Sequence, residues 1–207
     1  MLEDSLKDLK ATIEPAYNFG PMKLKLPADV IDHLNETCDD ENSYLQDYSP
    51  YLAGKINNGK QSGLKPSALD HEFVKFLYGS ARTYIYKTLS NSEAKLNEFD
   101  VRLGKLWMVS QLEKDFNPVH SHTGVIAGII YLKVPPQVNL ETLEGCLTFI
   151  YGDYHYGSLK NHGPVSIKPE VGDMYIFPAW LLHCVWPFYG EGERRCLAYN
   201  FYNAKMT

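Results

Sequence analysis

The chain has 207 residues, 44% of them hydrophobic and 22% charged, with a formal charge of -5 at pH 7. That length and balance are those of an ordinary globular domain whose core is large enough to fold without staples. Lysines and arginines are scattered, which leaves no electrostatic footprint for duplex nucleic acid. No N-terminal stretch joins a basic start to an apolar segment, and no window of about 18 residues is continuously apolar, so neither export nor a membrane span is predicted. A cytoplasmic, soluble protein is the expectation. Cys38, Cys146, Cys184 and Cys196 show no CxxC spacing, and three of them sit in apolar strand-like runs. They read as reduced packing residues.

Along the chain, LPADVIDHLNET (26–37) predicts a short helix with Val30, Ile31 and Leu34 on one face, entered through Pro27 where a missing donor is tolerated. Residues 38–66, polar and rich in Gly and Asn, predict a loop. SALDHEFVKFLYGSARTYIYKTL (67–89) opens with Ser67 and Asp70 in capping-box spacing. It places Leu69, Phe73, Phe76, Leu77, Tyr84 and Ile85 at three- and four-residue intervals, which predicts one long amphipathic helix. From Lys105 onward seven strand-like runs alternate with turns: KLWMVSQL, GVIAGIIYLKV, GCLTFIY, PVSIKP, DMYIFP, LLHCVWP and RRCLAYNFYN. Many short strands separated by Gly, Pro and Asp predict a β-sandwich or jelly roll. The run through Ile126–Leu132 is apolar on both faces and needs a cover, which the long helix can supply. A single domain, 1–207, is expected, with a helical support region over 1–100 and a mainly β core over 101–207.

At the mouth of that doubly apolar strand lies NPVHSH (117–122). In an extended chain His120 and His122 project from the same face, as a chelating pair must, although strand-end histidines solvated or bonded to backbone are the favoured reading of an isolated HxH. His183 lies among Leu182, Val185 and Trp186, where a buried imidazole needs a hydrogen bond or a metal. Twelve residues on, Arg195 shares a strand face with Leu197, Tyr199 and Phe201, while Arg194 shares one with Cys196, Ala198 and Asn200. The bulkier apolar face is expected to be the barrel interior, and an arginine aimed there needs an anion, for which its fork suits a carboxylate. Arg194 is expected at the rim.

In order, Trp107, NPVHSH, GIIYLKVP, GDMYIFPAWLLHCVWP and GERRCLAYNF resemble the Fe(II)- and 2-oxoglutarate-dependent oxygenases, in particular small bacterial and viral members distantly related to prolyl hydroxylases. The resemblance covers the C-terminal half and implies a double-stranded β-helix, or jelly roll, packed by the long helix. It implies His120 and His183 as iron ligands, Arg195 as the anchor for the far carboxylate of 2-oxoglutarate, and Tyr131 and Gln111 as further cosubstrate contacts. For Tyr131, core packing with the hydroxyl at water is an equal reading. The family's usual pattern is His-x-Asp or His-x-Glu, and here His122 holds the second position. Either His122 is the third ligand, or water or a carboxylate such as Asp153 completes the set, or the metal is not iron.

The implied activity is a dioxygenase, a hydroxylase that couples decarboxylation of 2-oxoglutarate to oxidation of a C–H bond in an unidentified substrate with dioxygen. The aromatic segment YGDYHYGSLKNHG (151–163) would border the cavity, with Tyr154 and His155 as candidate substrate contacts and aromatic loop packing as the alternative. Two other readings stand beside it: a three-histidine cupin-type dioxygenase, and a non-catalytic metal-binding β-domain. A carboxylate anchor on the last strand separates the oxygenase from both.

Overall fold

A computed structural model describes residues 12–13, 20–89, 97–151 and 163–206. In chain order the elements are β1 (Thr12–Ile13), β2 (Met22–Lys25), α1 (Ala28–Asp39), β3 (Tyr44–Asp47), β4 (Lys60–Leu64), α2 (His71–Thr88), β5 (Val101–Gln111), β6 (Asn117–His120), β7 (Ile126–Lys133), β8 (Leu147–Ile150), β9 (Val165–Ile167), β10 (Asp173–Pro178), β11 (Leu182–Val185) and β12 (Arg194–Asn203). All seven runs that alternate with turns after Lys105 contain a strand. The larger sheet has the order β1-β2-β10-β7-β12-β5-β4-β3 and the smaller one β6-β11-β8-β9. Neighbouring strands are antiparallel throughout both.

Helix α2 starts at His71 because Asp70 caps it: the Asp70 carboxylate accepts hydrogen bonds from the backbone N–H groups of Glu72 and Phe73. Ser67 sits earlier, in a 3-10 turn over Pro66–Ala68. Pro27 is the cap residue of α1, where its missing N–H costs nothing. Residues 38–66, expected as a loop, instead contain β3 and β4, which extend the larger sheet at one end. YLQD and KQSGL are too short and polar to announce themselves as strands, and such composition is common where a strand lies near a sheet edge. The first hundred residues thus supply strands as well as helices.

Strand alternation divides the larger sheet's side chains between two apolar clusters. Leu197, Tyr199 and Phe201 of β12 join Ile126 and Ile130 of β7, Met174 and Ile176 of β10, and Phe73, Leu77 and Tyr84 of α2. On the opposite face Cys196 and Ala198 of β12, Trp107 and Val109 of β5 and Tyr131 of β7 meet Leu147, Phe149 and Val185 of the smaller sheet. The bulky face of β12 therefore packs under the helices. Its small residues line the space between the sheets, and that is where room for a ligand exists.

Gly128 illustrates how tightly the helix-side layer is filled. A Cβ there would lie 2.0 Å from Cζ of the buried Tyr199 ring on the neighbouring strand. Gly128→Ala should therefore cost about 1–3 kcal/mol of stability, the usual penalty of overpacking. Chemical denaturation should show a lower midpoint with an unchanged slope; a midpoint equal to that of the parent would show that Tyr199 can move aside freely.

Candidate metal centre

Three imidazoles are brought together by the smaller sheet. His183 on β11 is the direct cross-strand partner of His120 on β6, and their ring centroids are 4.3 Å apart. His122, two residues past the end of β6's pairing, is fixed by its backbone N–H donating to the carbonyl of Ala179. Its Nε2 lies 3.1 Å from Nε2 of His183. One ring nitrogen from each of the three histidines falls within 4.8 Å of the others.

The tautomers follow from the backbone. Nδ1 of His120 is 2.7 Å from the Pro118 carbonyl oxygen, and Nδ1 of His183 is 2.9 Å from that of Leu181. A carbonyl only accepts, so each Nδ1 carries the proton and each Nε2 presents its lone pair to the cluster. The 3.1 Å contact of His122 Nε2 with His183 Nε2 is an N–H···N hydrogen bond when His122 carries its proton on Nε2, and two lone pairs facing a shared cation when it carries it on Nδ1. Nitrogens bonded at about 2.0–2.1 Å to one metal at a right angle stand about 3 Å apart, which matches the His122–His183 spacing. The donor set fits a divalent transition metal.

Burial also keeps the rings neutral, as ligation requires. It pushes His122 down to about 2, with repulsion from the other two imidazoles adding to the effect. It pushes His183 down to about 3, with His120 adding, and lowers His120 against the opposing pull of the Pro118 and His183 backbone. Trp107 stands beside the cluster, its ring 5.6 Å from that of His122, and Phe177 packs edge-on at 5.0 Å from His183.

The arginines are the reverse of the sequence expectation. Arg194 enters the space between the sheets and is 1% exposed. Its Nη1 donates to Oε1 of Gln111 at 2.6 Å and its Nη2 to the hydroxyl of Tyr131 at 2.9 Å, while its Nε has no hydrogen-bond partner. Gln111 is held in turn by donating to Oδ1 of Asn117 at 2.9 Å. Tyr131 is fully buried, so its hydroxyl does not reach water; burial raises its pKa while Arg194 pulls the other way. Among the described residues no carboxylate lies in ion-pair reach of Arg194. Arg195 lies on the other face, paired with Glu193 at 2.8 Å and with Asp39 of α1 at 2.8 Å. It clamps β12 to α1, and the assignment of Arg195 to the interior is corrected accordingly.

One pocket is lined by all three histidines together with Trp107, Asn117 and Arg194. Gln111 and Tyr131 reach it through Arg194. Asn117 was not singled out in the sequence, although it lies in the same segment as the histidines. Asp115, which has no part in the cluster, accepts from the backbone N–H groups of Asn57, Asn58, Gly59 and Leu112 and so pins the turn before β4. Tyr154, His155 and Asp153 lie outside the described residues.

Residues 105–200 match a family model described as "Putative 2OG-Fe(II) oxygenase". Over that stretch the chain is similar to the 2-oxoglutarate–Fe(II) oxygenases. Solved structures of similar fold include the collagen prolyl hydroxylase of Paramecium Bursaria Chlorella virus-1 in complex with 2-oxoglutarate, 17% identical, with a TM-score of 0.55 and 87% of this chain and 94% of that one covered. A Pseudomonas putida prolyl-4-hydroxylase is 15% identical, with a TM-score of 0.55 and coverage of 98% and 97%. HygX from Streptomyces hygroscopicus, with nickel and 2-oxoglutarate bound, is 9% identical, with a TM-score of 0.56 and coverage of 90% and 84%. None of the curated proteins matches the chain. No helix among the described residues is long and apolar enough to cross a membrane.

The depressed histidine pKa values set a pH dependence in the metal-free chain. The unfolded chain takes up protons at His122 and His183 near the ordinary pKa of about 6.5, whereas the folded chain resists until about 2 and 3. Between those limits the unfolded state binds more protons, so stability is full above the ordinary value and is lost as pH falls below it. Denaturation midpoints measured between neutral pH and pH 4 should drop, and the drop should shrink in His122→Gln. An equal drop in that variant would mean that other groups carry the effect.

Proposed function

We propose that the protein is an Fe(II)- and 2-oxoglutarate-dependent oxygenase whose metal is held by His120, His122 and His183 and whose cosubstrate is anchored by Arg194. The carrying observation is the guanidinium of Arg194: buried, unpaired by any described carboxylate, with Nε unpartnered, in the same pocket as three convergent imidazoles. A buried cation without a counter-charge is expensive, and a dicarboxylate that reaches from the imidazoles to the arginine satisfies both ends. Neither a three-histidine cupin-type dioxygenase nor a non-catalytic metal-binding β-domain has a use for that arginine.

Fe(II) with 2-oxoglutarate and dioxygen supplies the chemistry: decarboxylation of the cosubstrate to succinate and carbon dioxide, with one oxygen atom passed to a substrate C–H bond. The chain's own residues position and shield. The Pro118 and Leu181 carbonyls orient two of the imidazoles, and Gln111 and Tyr131 hold the guanidinium in the pocket. Trp107 and Phe177 flank the imidazoles with apolar surface, which keeps bulk water from the metal position. His122 replaces the usual carboxylate with a neutral donor, so the centre would be one charge more positive than the common set.

An anaerobic Fe(II) titration with and without 2-oxoglutarate, followed by its visible charge-transfer band, tests metal and cosubstrate together. His183→Ala should lose the band while circular dichroism stays that of the parent, since an open site loses its geometry with any ligand. A band of full strength in that variant would remove His183 from the ligand set.

The arginine pair gives the sharper comparison. Arg194→Ala should weaken 2-oxoglutarate binding by about 2–5 kcal/mol, the loss on breaking a buried charge pair, and Lys should restore only part of it. Arg195→Ala should leave cosubstrate affinity unchanged and lower stability by about 1–3 kcal/mol through the lost Glu193 and Asp39 bonds. Calorimetry and denaturation on the variants decide it, and cosubstrate affinity that follows Arg195 instead would refute the Arg194 anchor.

A further inference from the structure

Beside the imidazoles a second recess opens between β4, β5 and β12, bordered by Tyr51, Leu52, Gln61, Trp107, His122 and Asn200. Gln61 is fully buried, yet neither the oxygen nor the nitrogen of its amide has a hydrogen-bond partner. Asn200, 2% exposed, likewise leaves its Oδ1 unpartnered. Buried amides without partners are uncommon and destabilising, so two on one recess mark a place where something else completes them.

Their placement follows from register. Gln61 pairs across to Val109 and Gly63 to Trp107 on one side of β5, and Ala198 pairs to Trp107 on the other. Gln61 and Asn200 thus approach the recess from the two strands that flank Trp107, whose ring adjoins His122. Gly54 lets the loop backbone pass directly over Gln61, since a Cβ there would fall 2.6 Å from its Oε1. Among the described residues that line it, Lys105 is the one with a formal charge and none is a carboxylate.

Resting on the oxygenase reading, we propose that Gln61 and Asn200 are the substrate-recognition pair and that they select a neutral amide group, –CO–NH–, beside the carbon to be oxidised. A primary amide side chain offers one donor group and one acceptor, and an amide on the ligand is its complement. A purely apolar substrate would leave both side chains unpaired, and a cationic one would meet no carboxylate and face Lys105. Discrimination of this kind is steep, because a ligand lacking the group strands the buried partners.

The test is side-chain amide NMR on the full-length 15N-labelled chain, with and without Zn(II) and 2-oxoglutarate, titrated with three probes. N-methylacetamide represents a peptide-type amide, acetamide a primary carboxamide, and N,N-dimethylacetamide keeps the acceptor but lacks the donor. The NH2 signals of Gln61 and Asn200 should shift with one of the first two, and that probe identifies the source of the amide. The third should bind about tenfold more weakly, as should the preferred probe to Gln61→Met and Asn200→Leu. The wild-type shifts need no variant to fold. The proposal is overturned if neither signal moves with any probe, if the three probes act alike, or if only ordered water is found on both amides. Loss of 2-oxoglutarate binding with the amide shifts retained would overturn the oxygenase reading and leave the recess as an amide-binding site.

Discussion

A guanidinium held between two sheets, with one donor unpartnered and no described carboxylate beside it, governs how the rest of the pocket is arranged. Arg194 keeps its place because Gln111 and Tyr131 accept from its two terminal nitrogens, and Gln111 is fixed in turn by Asn117. Those groups come from β12, β5, β7 and β6, so the strand pairing of both sheets converges on one charge. None of these partners neutralises it. Among the described residues the cation is surrounded by neutral acceptors, and under the proposed function its counter-charge is the carboxylate of the cosubstrate.

The same strand shows why one charge pair is structural and the adjacent arginine is not. Arg195, one residue on, faces the helices and is matched by Glu193 and Asp39, with Lys133 and Ser110 completing Glu193. Glu193 is held down to about 2 by those hydrogen bonds against the opposing effect of burial. Every charge in that cluster has a protein partner. A self-sufficient network ties β12, β7 and α1 together, and the unsatisfied arginine lies on the face turned away from it.

Much of this was legible in the sequence. The turn-separated apolar runs after Lys105 locate seven strands, and the histidine spacing brings His120, His122 and His183 to one place because β6 and β11 pair at the histidines themselves. Gln111 and Tyr131, read from the resemblance as cosubstrate contacts, both lie against the guanidinium of Arg194. The arginine was misplaced for a specific reason: alternation reveals that two faces exist, but not which is inner. Bulk suggested Leu197, Tyr199 and Phe201 for the interior, yet the helices need a large apolar floor and the pocket needs space, so Cys196 and Ala198 line it. The reliable sign was the small residues on Arg194's face. Gln61 was invisible for another reason, because β4 carries no apolar alternation and its membership in the sheet is set only by pairing with β5.

Under the proposed function, charge connects the unusual ligand set to the arginine. Three neutral imidazoles contribute nothing to offset a divalent metal, and Arg194 adds a further positive charge to the same pocket. In the common set one carboxylate ligand absorbs part of that charge before any cosubstrate arrives. Here the dianion of 2-oxoglutarate is the group that does so, with one end at the metal and the other at Arg194. Metal and cosubstrate should then stabilise each other more strongly than in a centre with a carboxylate ligand, because each relieves repulsion that the protein leaves unscreened in a low-dielectric cavity. The coupling is reciprocal by linkage: whatever factor 2-oxoglutarate adds to the affinity for metal, the metal adds to that for 2-oxoglutarate. Substituting His122 by Asp would supply the missing charge from the protein and weaken that coupling, even where the metal itself is held as well as before.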